Sequence, residues 1–504
     1  MTDKSSYGQI LKSSSIMGGA ASITMILGMI KTKFAAVLIG TGGVGLLASF
    51  TTIQSLVGTL AGLGIQQSGV RDVAAAVASG DQEAIGRVVL TLRRMCWLTG
   101  LLGMITLVVI SPLIGQFTFG TDKYNLEIAS LGLIILFANI TGGQTALIQG
   151  SRRIGDIARL QMIGAAVGTI VTVGFYFWIG LRGIVPALVL ASFIQLLVSW
   201  RYAKRVSVTK VAMSWRASFK EAGAMVRLGI AMMWTGLASS LVVYATIAMI
   251  TDQFDLHAVG IYSAAFSLSG MFVNFVLQAM GADYYPRLTG VAHDKAAMNK
   301  LVNEQTEIGL LLAVPGILAT LVLAPWIIHL FYTKDFLPAG DLLQWFIFGC
   351  MGQVISWPLG FVMLALGEGM WYTLIETSFR VVQVITIGLF LHFFGLVGVA
   401  ASMPLLYIGY TVMVLMVAKR LTGFSWSPDA NGLIFKSVLV GGLAFIIMVN
   451  ATTFLGTILG LIMVAAAFVF SLRDMVNRLG MEHRFTRHFF RIPGAKLLMW
   501  GLVL

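Results

Sequence analysis

The chain has 504 residues, of which 58% are hydrophobic and 11% charged, and its mean hydropathy is +0.89. Soluble domains carry roughly 25% charged residues, so this composition belongs in a bilayer and excludes a large water-soluble domain. The net charge of +13 invites a nucleic-acid partner, but the placement of the cations argues against one, and no nucleic acid is expected.

The N-terminal MTDKSSYGQILKSSSIMGG lacks a short apolar core followed by an A-x-A site, so no cleaved signal is expected. Apolar runs of roughly 20 residues, enough to cross a bilayer, fall at 14–39, 44–66, 95–117, 127–149, 160–180, 183–203, 226–251, 258–281, 308–331, 341–366, 371–393, 396–418, 432–450 and 453–472. The predicted fold is an all-α integral membrane protein with about 14 transmembrane helices. Placing the N-terminus inside puts 28 of the 34 Lys and Arg residues on the inner side, leaving Lys123, Arg182 and Lys334 outside and Lys31, Lys33 and Arg380 within helices. By the positive-inside rule both termini face the cytoplasm, and the basic excess reports topology. Outer loops are short. The inner stretches 71–94 and 201–227 are expected to lie at the interface as amphipathic helices, and the tail 473–504, mixing Arg with Phe and Trp, beside anionic lipid. Cys96 and Cys350 sit in apolar runs with no disulfide or metal spacing.

Val44-Gly45 recurs as Val259-Gly260, and Gly180-Leu181-x-Gly183 as Gly395-Leu396-x-Gly398, both at an offset of 215 residues. The first six helices therefore look duplicated as the next six, giving two pseudo-symmetric six-helix lobes plus two extra helices. The expected organisation is an N-terminal lobe over 1–205, a basic cytoplasmic linker over 206–225, a C-terminal lobe over 226–420, two additional helices over 421–472 and a basic cytoplasmic tail over 473–504.

Gly40-Thr41-Gly42-Gly43-Val44-Gly45 formally matches a dinucleotide fingerprint, but no strand precedes it and the next acid is Asp72. A tight outer turn is the expected reading. No Walker A, H-E-x-x-H or G-x-S-x-G pattern occurs; the protein is expected to be a transporter and not an enzyme, with no cofactor, metal or catalytic residue.

Charges inside membrane helices are costly and mark candidate sites. Lys31 shares a helical face with Ala20, Ala21, Thr24, Gly28 and Ala35, small or polar groups suited to lining a cavity, where Lys31 would bind an anion; snorkelling or a structural ion pair is the alternative. Lys33 points about 200° away and suits an interface anchor. In 371–393, Thr373, Glu376, Arg380 and Gln383 follow one face, with Glu376 and Arg380 in the favourable i, i+4 order. Either the pair neutralises itself inside a bundle, or Arg380 contacts a substrate phosphate with Glu376 orienting it or exchanging a proton. Asn139, Thr141, Gln144, Gln195, Asn274, Gln278 and Gln353 suit sugar hydroxyls or, more commonly, interhelical hydrogen bonds. Pro286, in the segment Asp283-Tyr284-Tyr285-Pro286-Arg287, is expected to stop its helix.

GTGGVGLLASFTTIQSLVGTLAGLGIQQSGVRDVA, LGFVMLALGEGMWYTLIETSFRVVQVITIGLFLHFFGLVGVAAS and DYYPRLT resemble the Wzx-type polysaccharide flippases of the multidrug/oligosaccharidyl-lipid/polysaccharide exporter superfamily, over about the first 420 residues. The resemblance implies two six-helix lobes around a cavity open alternately to either side, and an undecaprenyl-pyrophosphate-linked oligosaccharide, such as an O-antigen unit, as the substrate flipped from inner to outer leaflet of a bacterial inner membrane. It also implies membrane lipids, a polysaccharide polymerase and a chain-length regulator as partners. The first-helix cation of the related lipid-precursor flippases corresponds to Lys31, here Lys in place of Arg. The expected substrate-binding residues are Lys31, Arg380, Glu376, Gln383 and Thr24. A cation-coupled drug antiporter of the same superfamily, or a membrane glycosyltransferase or polymerase, is the alternative.

Overall fold

The computed structural model describes residues 3–450 and 453–479, all of whose regular structure is helical. Among the described residues, ten helical segments are long and apolar enough to cross a membrane. Three have double length: 17–62, 154–203 and 369–422. α1 (Asp3–Gly62) has 60 residues and, unbroken, would measure about 90 Å, three times the hydrocarbon thickness. It is broken at Gly40, whose φ of 64° and ψ of −172° lie in a region open essentially to glycine alone. α12 (Gly369–Thr422) breaks in the same way at Gly395, with φ 64° and ψ −153°. Between α5 (Ile154–Ile179) and α6 (Ile184–Ala203), Gly180 has φ 58° and ψ −132°. The glycine-rich 40–45 stretch thus has helix on both sides and no strand.

The 215-residue repeat reaches the backbone. Gly180 and Gly395 share the same break, and three residues on, a Cβ on Gly183 would stand 2.6 Å from the Phe175 carbonyl oxygen while one on Gly398 would stand 2.1 Å from that of Phe390. These are the same contact displaced by one repeat.

The stretch 71–94, expected as amphipathic helix, is divided between α2 (Ile65–Ser79), which has one buried and one exposed face, and the start of α3 (Gln82–Phe119). Asp81 accepts hydrogen bonds from the Glu83 and Ala84 amides, so a cap starts α3 well before its apolar run. α2 buries Ile65, Gly69, Val73 and Ala76 against the bundle. α4 (Asn125–Gly150) follows. The expected linker over 206–225 is helical from Trp215, because the Ser214 hydroxyl accepts from the Ala217 amide and starts α7 (Trp215–Gln253) there. α8 (Leu256–Gly290) runs through Pro286, where a stop was expected. Its end is fastened by Tyr284, whose hydroxyl donates to the Pro358 carbonyl at 2.9 Å, and by fully buried Leu288.

The run over 308–331 is two helices, α9 (Lys295–Val322) and α10 (Ala324–Phe331); Pro325 lacks an amide proton and its ring opposes the preceding turn. α11 (Ala339–Ala365), α13 (Pro428–Asn450) and α14 (Thr453–Leu479) complete the fold. α14 carries Arg473 and Arg478, placed by expectation in the tail; the rest of that tail lies outside the described residues.

Two compact units are distinguished. One holds the chain up to Ile261 together with Phe331–Asp335, the other Tyr262–Leu330 and the chain from Phe336 onward. The first is built around Phe50, Ile53, Leu107, Leu131 and Ile135, and around Ile65, Val73, Leu92 and Leu147. The second is built around Leu310, Ile317, Leu321 and Val354, and around Tyr284, Val302, Leu359 and Val362. Val109, Leu113, Phe177, Trp178, Phe393 and Phe454 are exposed, as expected of side chains that meet lipid.

Candidate substrate site

Glu376, Arg380 and Gln383 stand at i, i+4 and i+7 on the first half of α12, two turns of one helix face. Arg380 Nη2 lies 3.5 Å from Glu376 Oε2, and Arg380 Nη1 donates to Gln383 Oε1 at 3.0 Å. The other oxygen of Glu376 accepts from the Tyr410 hydroxyl at 2.6 Å. Tyr410 lies in the second half of α12, beyond Gly395, so the glycine break folds the two halves alongside each other and closes the network. Gln383 is buried, and the Arg380 and Glu376 side chains retain 28% and 15% of their exposure.

Glu376, Arg380 and Tyr410 border a cavity of about 270 Å³ between α11 and α12, lined also by Gln353, Trp357, Tyr372 and Tyr407; Gln383 stands outside that lining. Its walls are aromatic: Phe379 and Tyr410 stand 4.7 Å apart, and the Arg380 guanidinium lies 5.3 Å from the Phe379 ring. Chemically this is a fixed guanidinium with unspent N–H donors, a carboxylate with one partner on each oxygen, and flat apolar faces. Such a set suits a phosphate or a sugar ring. Thr373, on the same sequence face, is exposed and donates to its own helix at Gly369.

Lys31 and Thr24 belong to α1 in the other unit, seven residues apart and so on one face. Lys31 is half-buried, and no hydrogen bond or ion pair joins its ammonium to another described residue. The Thr24 hydroxyl is buried without a partner among the described residues. A Cβ on Gly28, between them, would meet nothing within 4 Å, so this face is open. Lys33 is tied in place: its Nζ donates to the Tyr332 carbonyl at 2.6 Å. Snorkelling alone does not describe it.

Gln144 accepts from Ser199, an interhelical bond between α4 and α6, and the Gln195 side chain of α6 packs against Gly164 on α5. The Thr141 hydroxyl is buried and unpartnered, Asn139 donates to its own helix at Ile135, and the Gln278 side chain lies outside the described residues. A second polar cavity, of about 340 Å³, was not expected from sequence. Gln54, Gln66, Gln67 and Asn139 line it together with Gly58, Gly62 and Gly142. Its signal was the amides at 54, 66 and 67, which periodicity alone does not bring together. Among the described residues no group of three or more His, Cys, Asp or Glu could hold a metal.

Comparison with known proteins agrees with this architecture. The chain is 23% identical over 420 residues to the lipid III flippase of Escherichia coli (strain K12), covering 79% of this chain and 96% of that protein. Among solved structures it is similar to the lipid II flippase MurJ in an inward closed conformation, with a TM-score of 0.69, 14% identity, and coverage of 92% of this chain and 99% of that one. It is also similar to an inward-facing multidrug resistance MATE transporter, with a TM-score of 0.64, 15% identity, and coverage of 80% and 96%. At these identities the solved structures speak for a shared all-α membrane fold, and the named relatives are flippases and transporters, not enzymes. A family model for the polysaccharide biosynthesis protein matches residues 36–341, more than half of the chain. The chain belongs to the polysaccharide biosynthesis protein family.

Proposed function

We propose that the protein flips an undecaprenyl-pyrophosphate-linked oligosaccharide, an O-antigen or related surface polysaccharide unit, from the inner to the outer leaflet of a bacterial inner membrane, with both termini cytoplasmic. The observation that carries this reading is Arg380, a guanidinium held by Glu376 and Gln383 at the edge of an aromatic cavity inside membrane-spanning helices. Carrying a pyrophosphate through hydrocarbon unaided costs on the order of tens of kcal/mol. A fixed cation and polar lining offset that barrier while the lipid tail stays in the bilayer. Gln383 and Glu376 hold the guanidinium plane so that its remaining donors meet phosphate. Lys31 and Thr24, which have no polar partner among the described residues, add a second polar face in α1. The cavity has room for a phosphate or one sugar ring, so the rest of the glycan extends beyond it during alternating access. The lipid III flippase relative supports the lipid-linked class of substrate, and a polysaccharide polymerase and chain-length regulator are the expected partners.

Reconstitution tests the proposal. Vesicles containing the protein should expose labelled lipid-linked glycan to an external probe faster than empty vesicles; equal exposure under every imposed ion gradient would sink it. The drug-antiporter alternative rests on the fold shared with MATE transporters. Within the runs 14–39 and 371–393, the cations Lys31, Lys33 and Arg380 outnumber the one acid, Glu376, which favours an anionic cargo.

A further inference from the structure

At the turn from α4 into α5, three arginines converge on one carboxylate. Asp156 is buried, its side chain keeping 7% of its exposure. Arg153 Nη2 lies 2.7 Å from Asp156 Oδ2, while Arg159 Nη1 and Arg205 Nη1 both approach Oδ1, at 3.5 Å and 3.6 Å. Arg153 is committed, since its Nη1 also donates to the Arg205 carbonyl at 2.5 Å. The Arg159 and Arg205 contacts are too long for strong hydrogen bonds, and both side chains are substantially exposed. Their guanidinium donors are therefore available to something else.

One arginine would balance Asp156, so the cluster carries two uncompensated positive charges in close quarters. Two further features add to its pull on an anion. α5 begins here with Arg153 at its N-cap position and no side-chain cap, and Asp156 in its first turn answers the positive end of the helix as well as the arginines. Arg205 stacks on the Tyr202 ring at 4.7 Å, which fixes its plane. Beside it stands half-exposed Trp200 with Lys204 over its ring at 5.7 Å, the pairing expected at the level of lipid headgroups. By the expected topology this end of the helices meets the inner leaflet.

We propose that Arg153, Arg159 and Arg205, ordered by Asp156, form a binding site for the phosphate of an anionic phospholipid headgroup from the adjoining leaflet. The buried carboxylate orients the arginines, and the phosphate lies across Arg159 and Arg205, taking the place of water. This site shares no residue with the α11–α12 cavity, so lipid retention here and flipping there are read by different experiments. Cytoplasmic basic clusters gain about a factor of five in lipid affinity per cation near the surface.

The test is native mass spectrometry of the full chain in detergent, exposed in turn to phosphatidylglycerol, phosphatidylethanolamine and a polyprenyl pyrophosphate. Wild-type protein should retain phosphatidylglycerol in preference to phosphatidylethanolamine. Arg159→Gln, at an exposed position, should weaken that retention roughly fivefold, and Arg159→Gln with Arg205→Gln roughly thirtyfold. Lys300→Gln, removing an exposed cation paired with Glu304 on α9, should leave it unchanged. Equal retention of the two phospholipids by the wild type overturns the proposal, as does wild-type retention by the double variant. Retention of polyprenyl pyrophosphate in place of phosphatidylglycerol also overturns it and makes the cluster a docking point for substrate.

Discussion

Gly45 of α1 and Gly260 of α8, one repeat apart, meet backbone to backbone. A Cβ on Gly45 would lie 1.9 Å from the Leu256 carbonyl oxygen, and one on Gly260 would lie 2.1 Å from that of Thr41. Thr41 and His257 hydrogen-bond beside this crossing, 2.5 Å between Oγ1 and Nδ1. The helices can approach this closely only because both positions lack a side chain.

Valine at either glycine therefore forces the helices apart. Gly45→Val and Gly260→Val should each cost about 1–3 kcal/mol or more by overpacking, read as a lowered melting temperature of the purified protein. Gly58→Ala is the matched control in the same half of α1, because its Cβ would find its nearest neighbour at 3.9 Å. Equal melting of all three variants would remove the crossing as a constraint.

The Glu376–Arg380 pair has two readings, structural neutralisation or substrate binding, and a double substitution separates them. Glu376→Gln strands the Arg380 charge and should destabilise by about 1–3 kcal/mol; Arg380→Gln, which leaves Glu376 its Tyr410 bond, should cost less. Glu376→Gln with Arg380→Gln removes both charges and should recover most of the melting temperature. If Arg380 binds phosphate, the recovered double variant still flips lipid-linked glycan at least roughly tenfold more slowly, the loss of one charge-assisted bond. Wild-type flipping by the double variant would assign the pair to structure alone.

Helix content and the repeat were legible because both are carried by local patterns. Hydropathy runs mark membrane crossings, glycines at 180 and 395 mark breaks that no other residue tolerates well, and glycines at 183 and 398 mark the close contacts that follow. The i, i+4, i+7 spacing placed Glu376, Arg380 and Gln383 together for the same reason. Tyr410 was not legible, since it reaches Glu376 only after the chain folds back at Gly395, and periodicity along one helix cannot report that. The amide cavity of Gln54, Gln66 and Gln67 needs α1, α2 and α4 assembled before its members meet. Helix ends failed where a polar cap overrode hydropathy: Asp81 and Ser214 start α3 and α7 inside stretches that charge alone assigned to the interface.

Asp72, on α2 and outside the membrane-crossing segments, is a stability probe with a definite sign. Burial raises its carboxyl above the ordinary value, opposed in part by Arg71. A raised acid binds its proton more tightly folded than unfolded, so folding is favoured at low pH and that contribution is lost as pH rises through the folded value. Asp72→Asn should therefore raise the melting temperature at neutral pH, with the advantage shrinking as the buffer is acidified toward pH 4. An advantage that grows on acidification would reverse the assignment.

At Lys31 and Thr24, stability and transport should move in opposite directions. A half-buried ammonium without a described partner costs free energy, as does a buried hydroxyl without one. Lys31→Met and Thr24→Val keep the volume and remove the polarity, so each should leave the melting temperature equal or raised. On the proposed function, such groups are retained to meet an anion crossing the membrane. Lys31→Met should accordingly slow flipping by roughly tenfold, and Thr24→Val by less, since a neutral hydroxyl contributes less than a charge. Lys31→Arg should retain transport, because the guanidinium keeps the charge and adds donors. A destabilised Lys31→Met that flips normally would show the ammonium to be structural, leaving Arg380 as the cation that carries the pyrophosphate.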